Sequence, residues 1–247
     1  MTDGPEAGGV RMEAVRFAYP EGAAMLFDAA VPGGALAVVT GPSGSGKSTL
    51  LALVAGFEEP QGGRVVMAGR DMAGLDPGER PCTVIFQEHN LFPHLDIATN
   101  VALGIAPRRR VTGADRHVAE GTLERVGLSG KGGRLPSELS GGERQRAALA
   151  RAVIRDRPVL LLDEPFAALG PALAADMLSL VASLGRERGA TVLLVTHQPL
   201  AAATVTDHVL FLAEGRVHAV GGVELLRSND PLVVDYLHGT PDRARSA

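Results

Sequence analysis

The sequence predicts an α/β fold in which a mostly parallel β-sheet is covered by helices on both faces. Two observations predict it and a third bounds it. Short, wholly apolar runs recur along the chain, separated by stretches of helical spacing. Polar residues of functional type stand where those runs end. Strands buried on both faces read as continuous apolar runs, and their alternation with helices gives parallel sheets. The bound is size: 247 residues, 45% hydrophobic and 21% charged, suffice for a large core and exclude a disordered chain.

The elements follow in chain order. Residues 10–19 read as a strand, and Pro32, Gly33 and Gly34 turn into a second strand over 35–40. Residues 48–55 have helical spacing, with Leu50 and Val54 four apart, and Gly56 stands where a helix end favours glycine. Short strands are expected at 64–67 and 83–86. Over 88–155 the texture changes to helical patterns, which predicts a helical insertion into a core made of 1–87 and 156–247. Apolar strands return at 159–162 and 191–195.

Ligands of open parallel sheets bind beyond the carboxyl ends of the strands. The strand at 35–40 is followed by Gly41, Pro42, Ser43, Gly44, Ser45, Gly46, Lys47 and Ser48. This is the G-x-x-x-x-G-K-S phosphate loop, in the strand-to-helix context that its mechanism needs. Glycines free the backbone amides to form an anion nest at a helix N-terminus, Lys47 reaches the β- and γ-phosphates, and Ser48 faces Mg²⁺. Gln87 ends the strand at 83–86, Asp163 and Glu164 end the one at 159–162, and His197 follows 191–196. Asp163 suits the Mg²⁺ shell and Glu164 suits orienting or deprotonating a water. Two adjacent carboxylates repel a triphosphate unless a cation is present, so Mg²⁺ is expected with ATP. Alone, Gln87 or His197 would read as an ordinary polar residue. Their shared edge makes Gln87 a candidate for Mg²⁺ or water, and His197 a candidate for the γ-phosphate.

A second cradle lies within the insertion. Ser140 and Glu143 have the S-x-x-E spacing of a capping box opening a helix. That spacing leaves Gly141 and Gly142 unexplained, because glycine in a first turn costs about 1 kcal/mol relative to alanine. Bare amides for a second anion would explain them.

Taken in order, the phosphate loop, Gln87, residues 139–145, the run ending in Asp163-Glu164-Pro165, and His197 resemble the ATP-binding cassette ATPase family. The resemblance spans about residues 10–222. It implies a P-loop NTPase core with an antiparallel β subdomain and an inserted helical subdomain. It implies that two copies pair head to tail, sandwiching two ATP molecules between the loop of one, through Thr49, and Ser140–Glu143 of the other. It assigns Tyr19, with Phe17 as the alternative, to stacking on adenine; plain packing of Tyr19 stays open. Residues 86–95, 101–107 and Gly56-Phe57 are most similar to the thiamine-importer branch. An importer of another small solute (ferric ion, a polyamine, an anion) is the alternative. The resemblance further implies a membrane permease, a solute-binding protein beyond it, and a place on the cytoplasmic face of the inner membrane. Leu91, Phe92 and Leu95 would line the permease groove or form ordinary core.

Composition agrees. Apolar runs such as 36–39 are far shorter than the roughly 20 residues of a spanning helix. A single cysteine, Cys82, excludes a disulfide framework, and a formal charge of -4 with no Trp argues against nucleic acid as a partner. A related ATPase of DNA repair or translation would carry long coiled-coil arms or a second cassette, and residues 139–145 argue against a P-loop kinase. Two departures stand out. Residues 167–170 read A-A-L-G where the family has S-A-L-D, so Gly170 lacks a carboxylate that would face the partner copy, and Glu143 replaces a more frequent Gln.

Overall fold

The computed structural model describes residues 9–85, 91–107 and 110–238. Its strands are β1 (Val10–Phe17), β2 (Met25–Val31), β3 (Leu36–Thr40), β4 (Gly62–Met67), β5 (Arg70–Asp71), β6 (Cys82–Ile85), β7 (Val159–Asp163), β8 (Thr191–Val195), β9 (His208–Ala213) and β10 (Arg216–Gly221). Its helices are α1 (Lys47–Ala55), α2 (Ile97–Ala102), α3 (Gly113–Arg125), α4 (Gly141–Val153), α5 (Pro171–Arg188), α6 (Pro199–Ala202) and α7 (Pro231–His238). The strands form one sheet in the order β5-β4-β1-β2-β10-β9-β3-β8-β7-β6.

Strands β9, β3, β8, β7 and β6 run parallel, and β1, β2, β4 and β5 are joined antiparallel. All five residues of β3 and of β8 are buried. Alternation divides them between two cores. Leu36, Val38, Leu160, Leu162, Val192 and Leu194 join the apolar cluster of α2–α5, while Ala37, Val39, Leu161 and Leu193 join α1 and the antiparallel strands. The helices at 97–153 thus share one core with a face of the parallel strands.

The expected strands appear with small shifts. β1 stops at Phe17 rather than Tyr19, because Tyr19, Pro20, Glu21 and Gly22 close a turn in which the Gly22 amide donates to the Tyr19 carbonyl at 3.0 Å. Strands β2, β9 and β10 were not expected. The alanines of β2 weaken its strand pattern, and β10 alternates exposed and half-buried residues on a surface-facing flank. Gly56 has φ 85, the left-handed end of α1. It meets a second demand: a Cβ there would stand 2.4 Å from Arg80 Nε. Buried Arg80 crosses that point to donate to the Leu53 and Val54 carbonyls at 2.7 and 2.9 Å, closing the end of α1.

Candidate functional site

The phosphate loop is shaped by sterics on both flanks. Gly41 has φ 142, and a Cβ there would lie 2.0 Å from the Leu212 carbonyl oxygen of β9. Gly46 has φ 97, and its Cβ would press on the Phe27 ring at 3.1 Å. Gly44, at φ 76 with open space around it, is required by backbone conformation alone. Pro42, Ser43 and Gly44 form the exposed rim. No side chain caps α1, so its first-turn amides face the loop without a protein acceptor. Ser45 Oγ is buried with no hydrogen-bond partner. Uncapped amides and an orphaned hydroxyl are what an anion would satisfy.

Lys47 opens α1 and is 6% exposed. Its Nζ donates to the Gly41 and Pro42 carbonyls, each at 2.8 Å, which folds the ammonium over the loop. Burial pulls its pKa below the usual lysine value, while Glu164 and Asp163 push it back up. Ser48 Oγ donates to Asp163 Oδ1 at 3.3 Å, and buried Thr49 follows it in the first turn. The Asp163 carboxyl is raised by burial and by the charge of Glu164, against the bond from Ser48 and the charge of Lys47.

Glu164 is a non-glycine residue in the left-handed region, at φ 46. This conformation costs on the order of 1 kcal/mol. The turn is held by the Glu164 amide donating to the Val195 carbonyl at 3.1 Å. It aims the carboxylate at His197, whose Nε2 lies 2.6 Å from Glu164 Oε1. Glu164, Phe166, Leu178, Thr196, His197 and Ala201 line a cleft of about 220 Å³ beside this pair. The structure therefore brings Lys47, Ser48, Asp163, Glu164 and His197 together at neighbouring strand ends. Gln87 lies outside the described residues. Among those described, no group of three or more His, Cys, Asp or Glu is arranged as a metal cage. A hydroxyl and a carboxylate, completed by phosphate oxygens, are the donors Mg²⁺ takes instead.

Ser140 caps α4 reciprocally with Glu143: Glu143 N donates to Ser140 Oγ at 3.3 Å, and Ser140 N to Glu143 Oε2 at 2.8 Å. Lys131 pairs with the same carboxylate. These bonds hold the Glu143 carboxyl down to about 2, led by Lys131. The two glycines differ. A Cβ on Gly142 would stand 2.6 Å from Leu173 Cδ2 of α5, whereas at Gly141 the nearest atom would be 3.9 Å away on Arg144. Packing explains Gly142 and leaves Gly141 as an open approach to the helix N-terminus. Gln145, whose role sequence reasoning missed, donates from Nε2 to the Pro165 carbonyl at 3.0 Å. This buried bond ties the first turns of α4 to the residue after Glu164. Only its three-residue spacing from Gly142 could have suggested that it faces inward.

Tyr19 is 41% exposed and packs edge-on against buried Phe17, with ring centroids 4.8 Å apart. Leu91 packs on the helical core and Phe92 is 45% exposed. Buried Asn100 fixes that split by donating to the Phe92, Leu95 and Asp96 carbonyls and accepting from the Phe92 amide.

The ABC transporter family model matches residues 27–167. The chain belongs to the ABC transporter family. Its similarity to curated family members runs over most of its length. It is 55% identical over 215 residues, 87% of this chain and 85% of the other, to the thiamine import ATP-binding protein ThiQ of Mesorhizobium japonicum. It is 51% identical over 231 residues to ThiQ of Brucella suis, 93% of this chain and 95% of the other. Among solved structures it is similar to the ATP-binding cassette MJ0796, a dimer in a post-hydrolysis state with ADP and Pi. That likeness has a TM-score of 0.74 and 30% identity, covering 87% of this chain and 98% of the other. As an ABC cassette, the chain has its matched region ending just past Glu164, so His197 rests on the geometry above.

Proposed function

We propose that this chain is the ATP-hydrolysing subunit of an importer for thiamine or its phosphates. What supports hydrolysis is the Glu164–His197 pair, 2.6 Å apart, set at the strand ends beside the phosphate loop, and what supports thiamine is the 55% identity over 87% of the chain to a thiamine import ATP-binding protein. Lys47 exchanges the Gly41 and Pro42 carbonyls for the β- and γ-phosphates. The uncapped first-turn amides of α1 and Ser45 Oγ bind the remaining oxygens, and Tyr19 stacks on adenine. Mg²⁺, when bound with ATP, would neutralise phosphate charge; Ser48 and Asp163 would hold it, and Gln87 is the further ligand that the sequence reading expects. Glu164 orients the attacking water and accepts its proton; His197 donates to the γ-phosphate or to that water. Ser140–Glu143 of a second copy closes the opposite side through the amides of Gly141 and Gly142.

Residues 88–155 act as the helical subdomain and 1–87 with 156–247 as the core. Exposed Phe92 marks the side where the permease docks. Among the described residues no helix is long and apolar enough to cross a membrane. We place the subunit on the cytoplasmic face of the inner membrane, held by that permease, with a solute-binding protein on the far side and no nucleic acid partner. The test is the reconstituted complex: thiamine, presented with the binding protein, raises ATP turnover severalfold. Stimulation by ferric ion, a polyamine or an anion, with none by thiamine, assigns the chain to another importer.

Gly170 gives a separate prediction. It is the N-cap of α5 at φ -65 and ψ 155, makes no capping bond, and has nothing within 4 Å of a Cβ. Gly170→Asp should fit, cap the helix and add a few tenths of a kcal/mol of stability. Restoring the carboxylate should raise the coupled ATPase rate or leave it unchanged. Calorimetry and a turnover assay check both, and a large loss of turnover means the glycine itself is needed.

A further inference from the structure

We infer that Tyr236, on the last described helix, is a positioning residue for ATP hydrolysis, acting on the backbone that carries His197 and the phosphate loop. The inference rests on the reading of His197 given above. Asp230 precedes the helix, and its Oδ1 accepts from the Leu232 and Val233 amides at 3.0 and 3.3 Å. Its Oδ2 lies 2.9 Å from His218 Nε2 on β10. Val233 is fully buried against Phe211 and Ala213 of β9, and the Tyr236 ring tilts onto Phe211 with centroids 5.7 Å apart. Helix α7 is thus fastened to β9, which pairs with β3, and to β10 on the far side of β9.

From that position the Tyr236 hydroxyl lies 2.9 Å from Thr40 Oγ1. Thr40 is fully buried, and its own hydroxyl proton goes to the Thr196 carbonyl at 3.1 Å. With that proton committed, Thr40 Oγ1 can only accept, so the phenol is the donor. The chain of bonds therefore runs one way: Tyr236 O–H to Thr40 Oγ1, and Thr40 O–H to the Thr196 carbonyl. Its two inner members are significant by position. Thr40 ends β3 and immediately precedes Gly41; Thr196 follows β8 and immediately precedes His197. Two more bonds make the joint stiff. The Thr196 amide donates to the Val39 carbonyl at 3.2 Å, and the Gln198 amide donates to Thr196 Oγ1 at 3.0 Å, shaping the turn that presents His197. Gly41 has no slack, since it sits against the Leu212 carbonyl.

Tyr236 touches neither the phosphate loop's anion side nor His197. It satisfies the second valence of Thr40 and keeps water from competing for the bond that locks the two strand ends in register. A donor that polarises the next hydroxyl strengthens the whole chain. Without it, the Thr40–Thr196 bond loosens and the His197 ring samples positions away from Glu164 and the γ-phosphate. The binding surface of the loop is set by Gly41, Gly46 and α1 and does not depend on Tyr236. Turnover should therefore suffer more than ATP binding.

Tyr236→Phe in the full chain removes one oxygen and leaves the ring packing. Its kcat for ATP should fall roughly three- to tenfold, the range for one lost hydrogen bond, with the KM for ATP within about twofold of wild type. In histidine-labelled protein, the His197 ring resonance, assigned by its disappearance in His197→Ala, should move. Asp235→Ala, on the exposed face of the same helix, should leave kcat, KM and that resonance unchanged. Wild-type kcat in Tyr236→Phe, an unmoved His197 resonance, or an equal loss in Asp235→Ala overturns the inference. Normal turnover in His197→Ala overturns the role of His197 itself, and this proposal falls with it.

Discussion

Glu164→Gln should bind ATP as tightly as the wild type or more tightly, and hydrolyse it at least about a hundredfold more slowly. Removing a positioned general base costs roughly 10² to 10⁴ in rate. The substitution is isosteric, so the amide oxygen can still accept from His197 at the 2.6 Å position, and the left-handed turn at φ 46 is kept by the Glu164 amide on Val195. Only the charge and the proton-accepting power change. Losing the charge helps binding in two ways. It removes repulsion of the phosphates, and it relieves Asp163, whose carboxyl is raised in part by Glu164. The slowed variant should accumulate as an ATP-bound dimer on size exclusion. Phosphate release within tenfold of wild type would remove Glu164 from the role of base and leave the strained turn without a purpose.

Most of the parallel half of the fold was legible in the sequence, because burial on both faces favours unbroken apolar runs there; β9 was missed although its run over 209–213 is as apolar and as buried as the others. Runs such as Val159–Asp163 and Thr191–Val195 announce themselves, and their carboxyl ends give the address of Asp163, Glu164 and His197. Strands β2 and β10 were illegible because each is a flank strand with one side toward solvent, where alanine and arginine are tolerated. The phosphate loop was fully legible as a motif, yet two of its causes were not. Gly41 is pressed by a carbonyl of β9, and Lys47 rests on its own loop's carbonyls, so both depend on geometry that no spacing encodes. Buried polar links were the least legible. Gln145 to Pro165, Arg80 to the end of α1, and Tyr236 to Thr40 each join residues 20 or more positions apart. Such links are read only once the chain is folded. By contrast the Ser140–Glu143 cap is local and its spacing foretold it.

Lys47→Ala should weaken ATP binding by two or more orders of magnitude while leaving the nucleotide-free fold as stable as before. The binding loss follows from charge-assisted bonds to two phosphates, each worth about 1.5–3 kcal/mol. The neutrality of the fold follows from the sign of the lysine's shift. Burial holds its folded pKa below the unfolded value of 10.5, so the folded chain binds that proton less tightly than the unfolded one. Below the folded pKa the residue therefore works against folding, and its cost fades only as pH rises past the unfolded value. Its two bonds to Gly41 and Pro42 offset that cost, and alanine loses both together. Lys47→Arg should not restore binding, because the loop accepts a compact ammonium 2.8 Å from two carbonyls, and a planar guanidinium has a different reach and fork. Titration with a fluorescent ATP analogue gives the affinity, and a melting curve without nucleotide gives the stability. Unchanged affinity in Lys47→Ala would contradict the cradle. A collapse of the melting temperature would mean that the ammonium serves the loop's fold rather than its ligand.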